Sequence, residues 1–320
     1  MTSISPSNSG GYQDADADTN AATDAEAKHA VLRGTADPGS PLTMLRGNAL
    51  VWTTVFRIVD RWTAWKRKMN RSAPAYLRHV ATITFPPPTG IQVNMMPILP
   101  CDLPGSVPGF LRQYIAVIKD CIFRLDRHEF SWSRVPQPVW YLTVDESPVV
   151  PGTTHRRRGL HVERTGVDGR FVTLSDPSFG DTLLWGDGYA TKGGKTLGGI
   201  LMASSVGGSC RVHPVMVDDP HTVTDSHGGL DHVRDLVGDD GETLDAGEVC
   251  WFTDRTPHES LPLPIDDASV GYRQFFRLVI GRVGTWYSRT NTANPLGIVP
   301  GPDTVVSDVD RFDPGLRDLA

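Results

Sequence analysis

What this chain lacks narrows its class first. It has four cysteines in 320 residues, Cys101, Cys121, Cys210 and Cys250, and no two of them stand at CxxC spacing. That spacing excludes a thiolate zinc knot and argues against a disulfide framework, so the thiols read as free and buried in a reducing compartment. No apolar run approaches the roughly 20 residues that a membrane-spanning helix needs. An excess of basic residues is also missing: 31 Lys and Arg stand against 37 Asp and Glu, a formal net charge of -6. A general nucleic-acid binder, which needs a basic surface for its phosphate contacts, is therefore not expected. Large apolar residues are almost absent from the first forty positions, where six acidic residues stand against Lys28 and Arg33. Residues 1–40 are expected to form a disordered acidic tail, because such a composition cannot bury enough surface to offset its ordering entropy. The tail has neither the basic start nor the apolar middle of a secretion signal. A soluble cytoplasmic protein is the expectation.

What is present suits an enzyme-sized body. With 39% hydrophobic and 8% aromatic residues the chain can bury a large core, as one large domain or two small ones. Residues 41–130 read as a helical and proline-rich N-terminal layer. From Pro41 to about Arg71, apolar residues such as Leu45, Ala49, Trp52, Phe56, Val59 and Trp62 recur every three or four positions. This amphipathic helix, with Lys66-Arg67-Lys68 at its end, suits packing on a core, and a membrane or partner surface is its alternative use. Pro86, Pro87, Pro88, Pro97, Pro100, Pro104 and Pro108 then predict irregular or edge pieces. A second helix opens at Pro108-Gly109 and carries Leu111, Tyr114, Ile118, Cys121 and Leu125 on its apolar face.

After Trp132 the period changes to that of strands. Val139–Val144, Gly169–Leu174, Gly198–Ser204, Val249–Thr253 and Tyr272–Ile280 are short β-branched and aromatic runs separated by Gly, Pro and Asp. The class is mainly β with α, an antiparallel sandwich or barrel over 131–290, with a jelly roll as the natural candidate. Residues 291–320 read as an irregular C-terminal tail. No internal repeat is present.

Three residues have the chemistry of a metal site. His161 and Glu163 are two positions apart, so in an extended segment both side chains leave one face. His258 ends the run that starts at Gly247, and Arg273 follows it by fifteen residues, with Arg277 two further steps along the same strand face. Two imidazoles and one carboxylate cap one side of an iron(II) ion and leave adjacent positions open for oxygen and substrate. A 2-oxo acid chelates such a metal, and its distal carboxylate favours the planar fork of a guanidinium over the point charge of a lysine. Arg273, Phe275, Arg277 and Val279 share one face of that strand. If the face points inward, one arginine holds the acid while Phe275 keeps the pocket dry.

A family resemblance adds to this. Gly247-Glu248 with a histidine eleven positions after the glycine resembles the second motif of the cupins, although Thr253 and Arg255 stand where cupins have a proline and a glycine. His161-Val162-Glu163 resembles the HxD/E motif of iron(II) and 2-oxoglutarate-dependent dioxygenases, which share the double-stranded β-helix fold. The resemblance spans roughly Leu142 to Ile280. It implies a double-stranded β-helix (jelly-roll or cupin-like) core under the helical layer, with iron bound by His161, Glu163 and His258. It further implies 2-oxoglutarate held by Arg273 or Arg277, and a small-molecule or side-chain substrate lined by Trp251, Tyr272 and Phe275. The arginine-x-serine pattern of that family is replaced here by Arg273-Gln274-Phe275.

Other accounts of the same residues stand beside this one. A cupin metalloenzyme without 2-oxoglutarate uses the same ligands. In a non-catalytic jelly-roll binding protein, His258 caps a turn, Glu163 pairs with Arg164 or Arg156, and the arginines form surface ion pairs of little worth. His213, His221, His227 and His232, among Asp218, Asp219, Asp225 and Asp231, are expected in a solvated acidic insertion rather than a second metal site. Arg156-Arg157-Arg158 is either an anion-attracting patch or a solvated basic corner. Cys210 has no neighbouring base to make it a nucleophile and is expected in the core.

Overall fold

The structure of the chain, a computed structural model, describes residues 69–70, 76–126, 139–163, 189–192, 195–217, 223–225, 227–263, 271–280, 283–302 and 304–310. The chain divides at Thr63/Ala64 into two units, and every described residue belongs to the second. The tail expected over 1–40, most of the amphipathic helix after it, and the strand expected at Gly169–Leu174 lie outside the described residues. Among the described residues no helix is long and apolar enough to cross a membrane.

The strands in chain order are β1 (Met69–Asn70), β2 (Tyr76–Thr82), β3 (Gln92–Ile98), β4 (Trp140–Pro148), β5 (Tyr189–Lys192), β6 (Lys195–Ser204) and β7 (Cys210–Val212). They continue with β8 (Met216–Val217), β9 (Glu242–Thr243), β10 (Glu248–Phe252), β11 (His258–Ser260), β12 (Tyr272–Ile280), β13 (Thr285–Tyr287) and β14 (Val305–Ser307). A large sheet runs in the order β2-β10-β6-β12-β4-β3, with β5 paired to the start of β6, and a small sheet runs β11-β7-β9. All pairings in both are antiparallel. β1 belongs to the stretch expected as helix and instead pairs with β8, backbone pairing overriding the local period there. The proline-rich stretch supplies β3, one edge of the large sheet, and Pro97 there lies where no ladder hydrogen bond is lost to a further strand.

Strict alternation builds two cores from one sheet. In β12, Phe276, Leu278 and Ile280 face a cluster that includes Leu111, Tyr114, Ile118 and Cys121, while Phe275 and Val279 face the other side. In β10, Val249 and Trp251 join the first cluster and Cys250 and Phe252 the second. The helix Ile115–Asp126, entered through a 3-10 segment Gly109–Tyr114, thus covers one face of the large sheet. On the other face, Ile200, Met202, Phe252 and Phe275 pack with Cys210 and Val212 of the small sheet. The fold is therefore mainly β, two antiparallel sheets packed face to face with few helices.

The described residues of 213–237 depart from the solvated insertion expected there, while Asp218, Asp219 and His221 lie outside the described residues. Val215, Val217, Val223, Leu230, Val233, Leu236 and Val237 are buried together with Leu160 and Val162 as a third core. The apolar face was hidden in the sequence because its elements, β8, the 3-10 turn Asp231–Val233 and the helix Arg234–Val237, are too short to show a period. His213 is buried, and among the described residues no group of three or more His, Cys, Asp or Glu converges as a metal site.

Candidate functional site

The site begins with a backbone pair. His161 N–H donates to the carbonyl of His258 at 3.0 Å, and His258 N–H donates back to the carbonyl of His161 at 2.9 Å. Residues that exchange both bonds stand directly opposite on one face of an antiparallel pair. The two imidazoles are accordingly neighbours, with ring centroids 4.5 Å apart. The extended segment sends Val162 into the third core and Glu163 to the same pocket as His161, as the two-residue spacing predicts.

Each imidazole is fixed by its inner nitrogen. His161 Nδ1 lies 2.8 Å from the carbonyl of Gly159, and His258 Nδ1 lies 2.9 Å from that of Thr256. A carbonyl only accepts, so Nδ1 carries a proton in both rings. Burial, helped by the charges of His258 and Arg157 and opposed by Glu163, holds the His161 pKa well below its ordinary value, so this ring stays neutral. Phe252 packs on His258 with centroids 4.7 Å apart. His258 Nε2 is 3.7 Å from Glu163 Oε1, and that same oxygen accepts a hydrogen bond from Arg277. Among the described residues, no three donor side chains form a finished metal cage, because the Glu163 carboxylate is shared with a guanidinium. The donor set nonetheless fits an ion: two imidazoles, each anchored through Nδ1 to a backbone carbonyl, and a carboxylate line one cavity.

The turn before His258 explains the spacing from Gly247. Gly247 has φ +74, and a Cβ there would meet the Ile83 carbonyl oxygen at 2.4 Å, so only glycine fits. Glu248 is structural, accepting from Asp245 N–H at 2.9 Å. Between β10 and β11 the hydroxyls of Thr253 and Thr256 meet at 2.8 Å and close the turn.

The two arginines of β12 differ in surroundings. Arg277 lines the pocket and is paired with Glu163. Arg273 is completely buried just behind the lining: its guanidinium donates to Ser204 Oγ at 2.9 Å, Ser260 Oγ at 3.3 Å and Cys210 Sγ at 3.0 Å. Burial pushes the Cys210 thiol pKa up, Arg273 opposing it, so that sulfur is neutral and does not compensate the guanidinium charge. Ser260 and Cys210 themselves line the cavity, which places Arg273 one side chain behind its wall.

The lining comprises His161, Glu163, His258, Phe275 and Arg277 together with Asn94, Arg156, Arg157, Met202, Cys210, Glu259 and Ser260. Trp251 and Tyr272, expected on the substrate side, point the other way. The Trp251 indole donates to the Gly198 carbonyl within the first core, and the Tyr272 hydroxyl donates to that of Glu146. Strand alternation decides this, since both residues are out of phase with the pocket face. Asn94 went unnoticed in the sequence. A bulge between Val93 and Met96, with Met95 at φ 48, sets it at the cavity, and a lone amide within an apolar run was the one available sign.

Outside the pocket, Arg234 forks onto Glu259 at 3.0 and 2.9 Å and fastens β11 to the helix beyond it. His213, with Nε2 4.0 Å from Oε1, and then Arg234 hold the Glu259 carboxyl down at about 2 against the effect of burial. A carboxyl depressed from 4.5 contributes stability above pH 4.5 and loses it as pH falls toward 2. The Glu259→Gln variant is therefore expected to be less stable than the parent at pH 6 by on the order of 3 kcal/mol, the gap closing toward pH 2. Denaturant unfolding of both proteins across that range checks it. A gap that stays constant with pH refutes the assignment.

No protein-family model matches the chain, and no curated protein matches it in sequence. Among solved structures, the crystal structure of HygX from Streptomyces hygroscopicus with nickel and 2-oxoglutarate bound is similar over 66% of this chain and 84% of that one. The identity is 13% and the TM-score 0.28.

Proposed function

We propose that this chain is a non-haem iron(II) oxygenase that uses 2-oxoglutarate and is carried on a double-stranded β-helix. The winding supports the fold reading. The chain passes from β4 in the large sheet to the His161 segment beside β11, back to β6, through β7 and β9, back to β10, then β11, then β12. Such alternation between two facing sheets is how that helix is wound.

The observation that carries the function is the reciprocal pair His161/His258, which turns two imidazoles anchored through Nδ1 to the pocket that holds Glu163. These three residues would hold iron(II). With 2-oxoglutarate and dioxygen, the metal would supply a two-electron oxidation of the substrate, releasing succinate and carbon dioxide. Arg273 would receive the far carboxylate of 2-oxoglutarate, because its partners are neutral hydroxyls and a thiol, whereas Arg277 already has a carboxylate. Ser204 and Ser260 hold the Arg273 fork in orientation, and Phe275 and Met202 restrict water around it.

The contact between Glu163 and Arg277 favours one variant reading, in which the two imidazoles hold the metal and the carboxylate serves Arg277. The experiment for the function itself is a turnover assay. Iron(II)-loaded protein given 2-oxoglutarate and oxygen is expected to form succinate, slowly and without added substrate. Succinate no higher than in the iron-free protein refutes the proposal, and oxygen uptake without succinate would point to a metalloenzyme that does not use 2-oxoglutarate.

A further inference from the structure

The charged groups of the cavity wall answer one another. Arg156 Nη1 lies 2.9 Å from Asp145 Oδ2, Arg277 pairs with Glu163, and Glu259 is held by Arg234. Arg157 donates to the carbonyl of His227 and interacts electrostatically with Asp225. Of the triplet 156–158, two members thus stand in the wall already compensated, and Arg158 is exposed to solvent. Ser260 and Cys210 are taken up by the Arg273 fork. The neutral polar side chain left to read an occupant is Asn94.

Asn94 is fixed at both backbone and side chain. Its N–H donates to Thr292 Oγ1 at 3.0 Å, and its carbonyl accepts from Thr292 N–H at 2.8 Å. Nδ2 donates to the Thr290 carbonyl at 3.1 Å and to Asn291 Oδ1 at 2.9 Å. A carbonyl only accepts, so the end of the amide facing Thr290 is the nitrogen, and both of its hydrogens are spent. Oδ1 accepts from the Thr143 hydroxyl at 3.4 Å, a long contact that leaves a second lone pair over. The half-buried amide therefore offers the cavity an acceptor and no donor. Holding it there strains the chain. Asn94 and Met95 stand opposite Thr143 alone in the bulge, and Met95 has φ 48, a region that residues other than glycine rarely adopt. Such strain persists where surrounding contacts over-determine the backbone, and it clusters at ligand sites.

Register places this amide at the end of the cavity away from Arg273. Thr143 stands opposite Arg277, which stands opposite Met202 on its other side, so one cross-strand row runs from Asn94 to Met202. With strands about 4.8 Å apart, Asn94 lies roughly 10 Å from Arg277 along that row, whereas Arg273 is about 13 Å from Arg277 along β12. The acceptor thus belongs to the substrate end.

Resting on the oxygenase reading above, we infer that Asn94 selects the molecule oxidised by accepting, on Oδ1, a hydrogen bond from its neutral hydroxyl or N–H group. An analogue with only an acceptor or an apolar group at that point leaves Oδ1 without a donor and is discriminated against.

The test is a fluorine NMR titration of the purified full chain, without metal, with 4-fluorophenol and, separately, 1,4-difluorobenzene. The two probes differ by one hydroxyl in place of one fluorine. The parent protein is expected to bind the phenol roughly fivefold more tightly. Asn94→Leu is expected to bring the two affinities within about twofold, whereas Asn94→Asp, which keeps an acceptor oxygen there, retains the preference. A variant that loses thermal stability while Asn94→Leu leaves the ratio unchanged would make the residue purely structural and overturn the inference. Equal binding of the two probes to the parent, or binding of neither, overturns it as well. So does a preference lost in Asn94→Asp as it is in Asn94→Leu. The titration needs no metal and no turnover, so its failure is distinguishable from failure to form succinate.

Discussion

Replacing His258 with alanine is expected to lower metal affinity at least about 100-fold, the cost of removing a ligand exceeding the 10- to 100-fold cost of disturbing a supporting contact. Metal content of iron-loaded, desalted protein measures this. The fold should persist, because the reciprocal bonds between residues 161 and 258 are made by the backbone and remain after truncation. The side chain gives up its hydrogen bond to Thr256 and one ring contact with Phe252 across the sheets, where Ile200, Met202 and Phe275 still pack on Cys210 and Val212. Circular dichroism and a thermal melt would verify an intact fold. Metal retained at the parental level in such a folded variant would remove both metalloenzyme readings, leaving a jelly-roll binding protein. Glu163→Ala then distinguishes the ligand sets. Loss of metal comparable to that of His258→Ala assigns the carboxylate as a ligand, and retention assigns it to Arg277.

Replacing Arg273 with methionine is expected to weaken 2-oxoglutarate binding roughly 100-fold, corresponding to about 3 kcal/mol for losing one partner of a buried charge-assisted contact. Methionine is the informative choice. It fills similar space without charge, and exchanging a buried ionic group for a well-packed apolar one is often neutral for stability. Arg277→Gln is expected to leave 2-oxoglutarate affinity within a few-fold and to alter metal affinity instead, because it releases Glu163 from its guanidinium partner. Titration of each variant with 2-oxoglutarate reads the difference. If Arg273→Met binds like the parent while Arg277→Gln does not, the clamp is Arg277. If neither changes, the dicarboxylate is not held by β12.

The physical basis for assigning the two arginines differently is their compensation. A buried cation among neutral acceptors costs free energy that an anionic ligand relieves, whereas an ion-paired one gains little from a second anion. Alternation alone placed Arg273 and Arg277 on one strand face, and both are on it. Which one meets a carboxylate from another strand depends on residues distant in sequence.

Local patterning was enough for the longer elements. Tyr272–Ile280 has the span its β-branched and aromatic run predicts, and the strands near Val139, Gly198 and Val249 are present as β4, β6 and β10. The same period put His161 and Glu163 on one face and Phe275 on the pocket side. It did not distinguish the two faces of a strand, so Trp251 and Tyr272 were expected in the pocket and lie on the helix side instead. Short elements between residues 213 and 237 carried no readable period, and their core was invisible until it was assembled.

By itself, then, the sequence determined the spans of the longer strands, which residues of β12 share a face, and the types of donor available. The tertiary structure decided which of them meet. The pairing of His161 with His258, the sharing of Glu163 with Arg277, the burial of Arg273 among Ser204, Ser260 and Cys210, and the turning of Arg156 and Arg157 into the cavity all join distant segments. Strand period is local, set by backbone stereochemistry within a few residues, whereas pairing register and charge compensation follow from how two sheets close on one another.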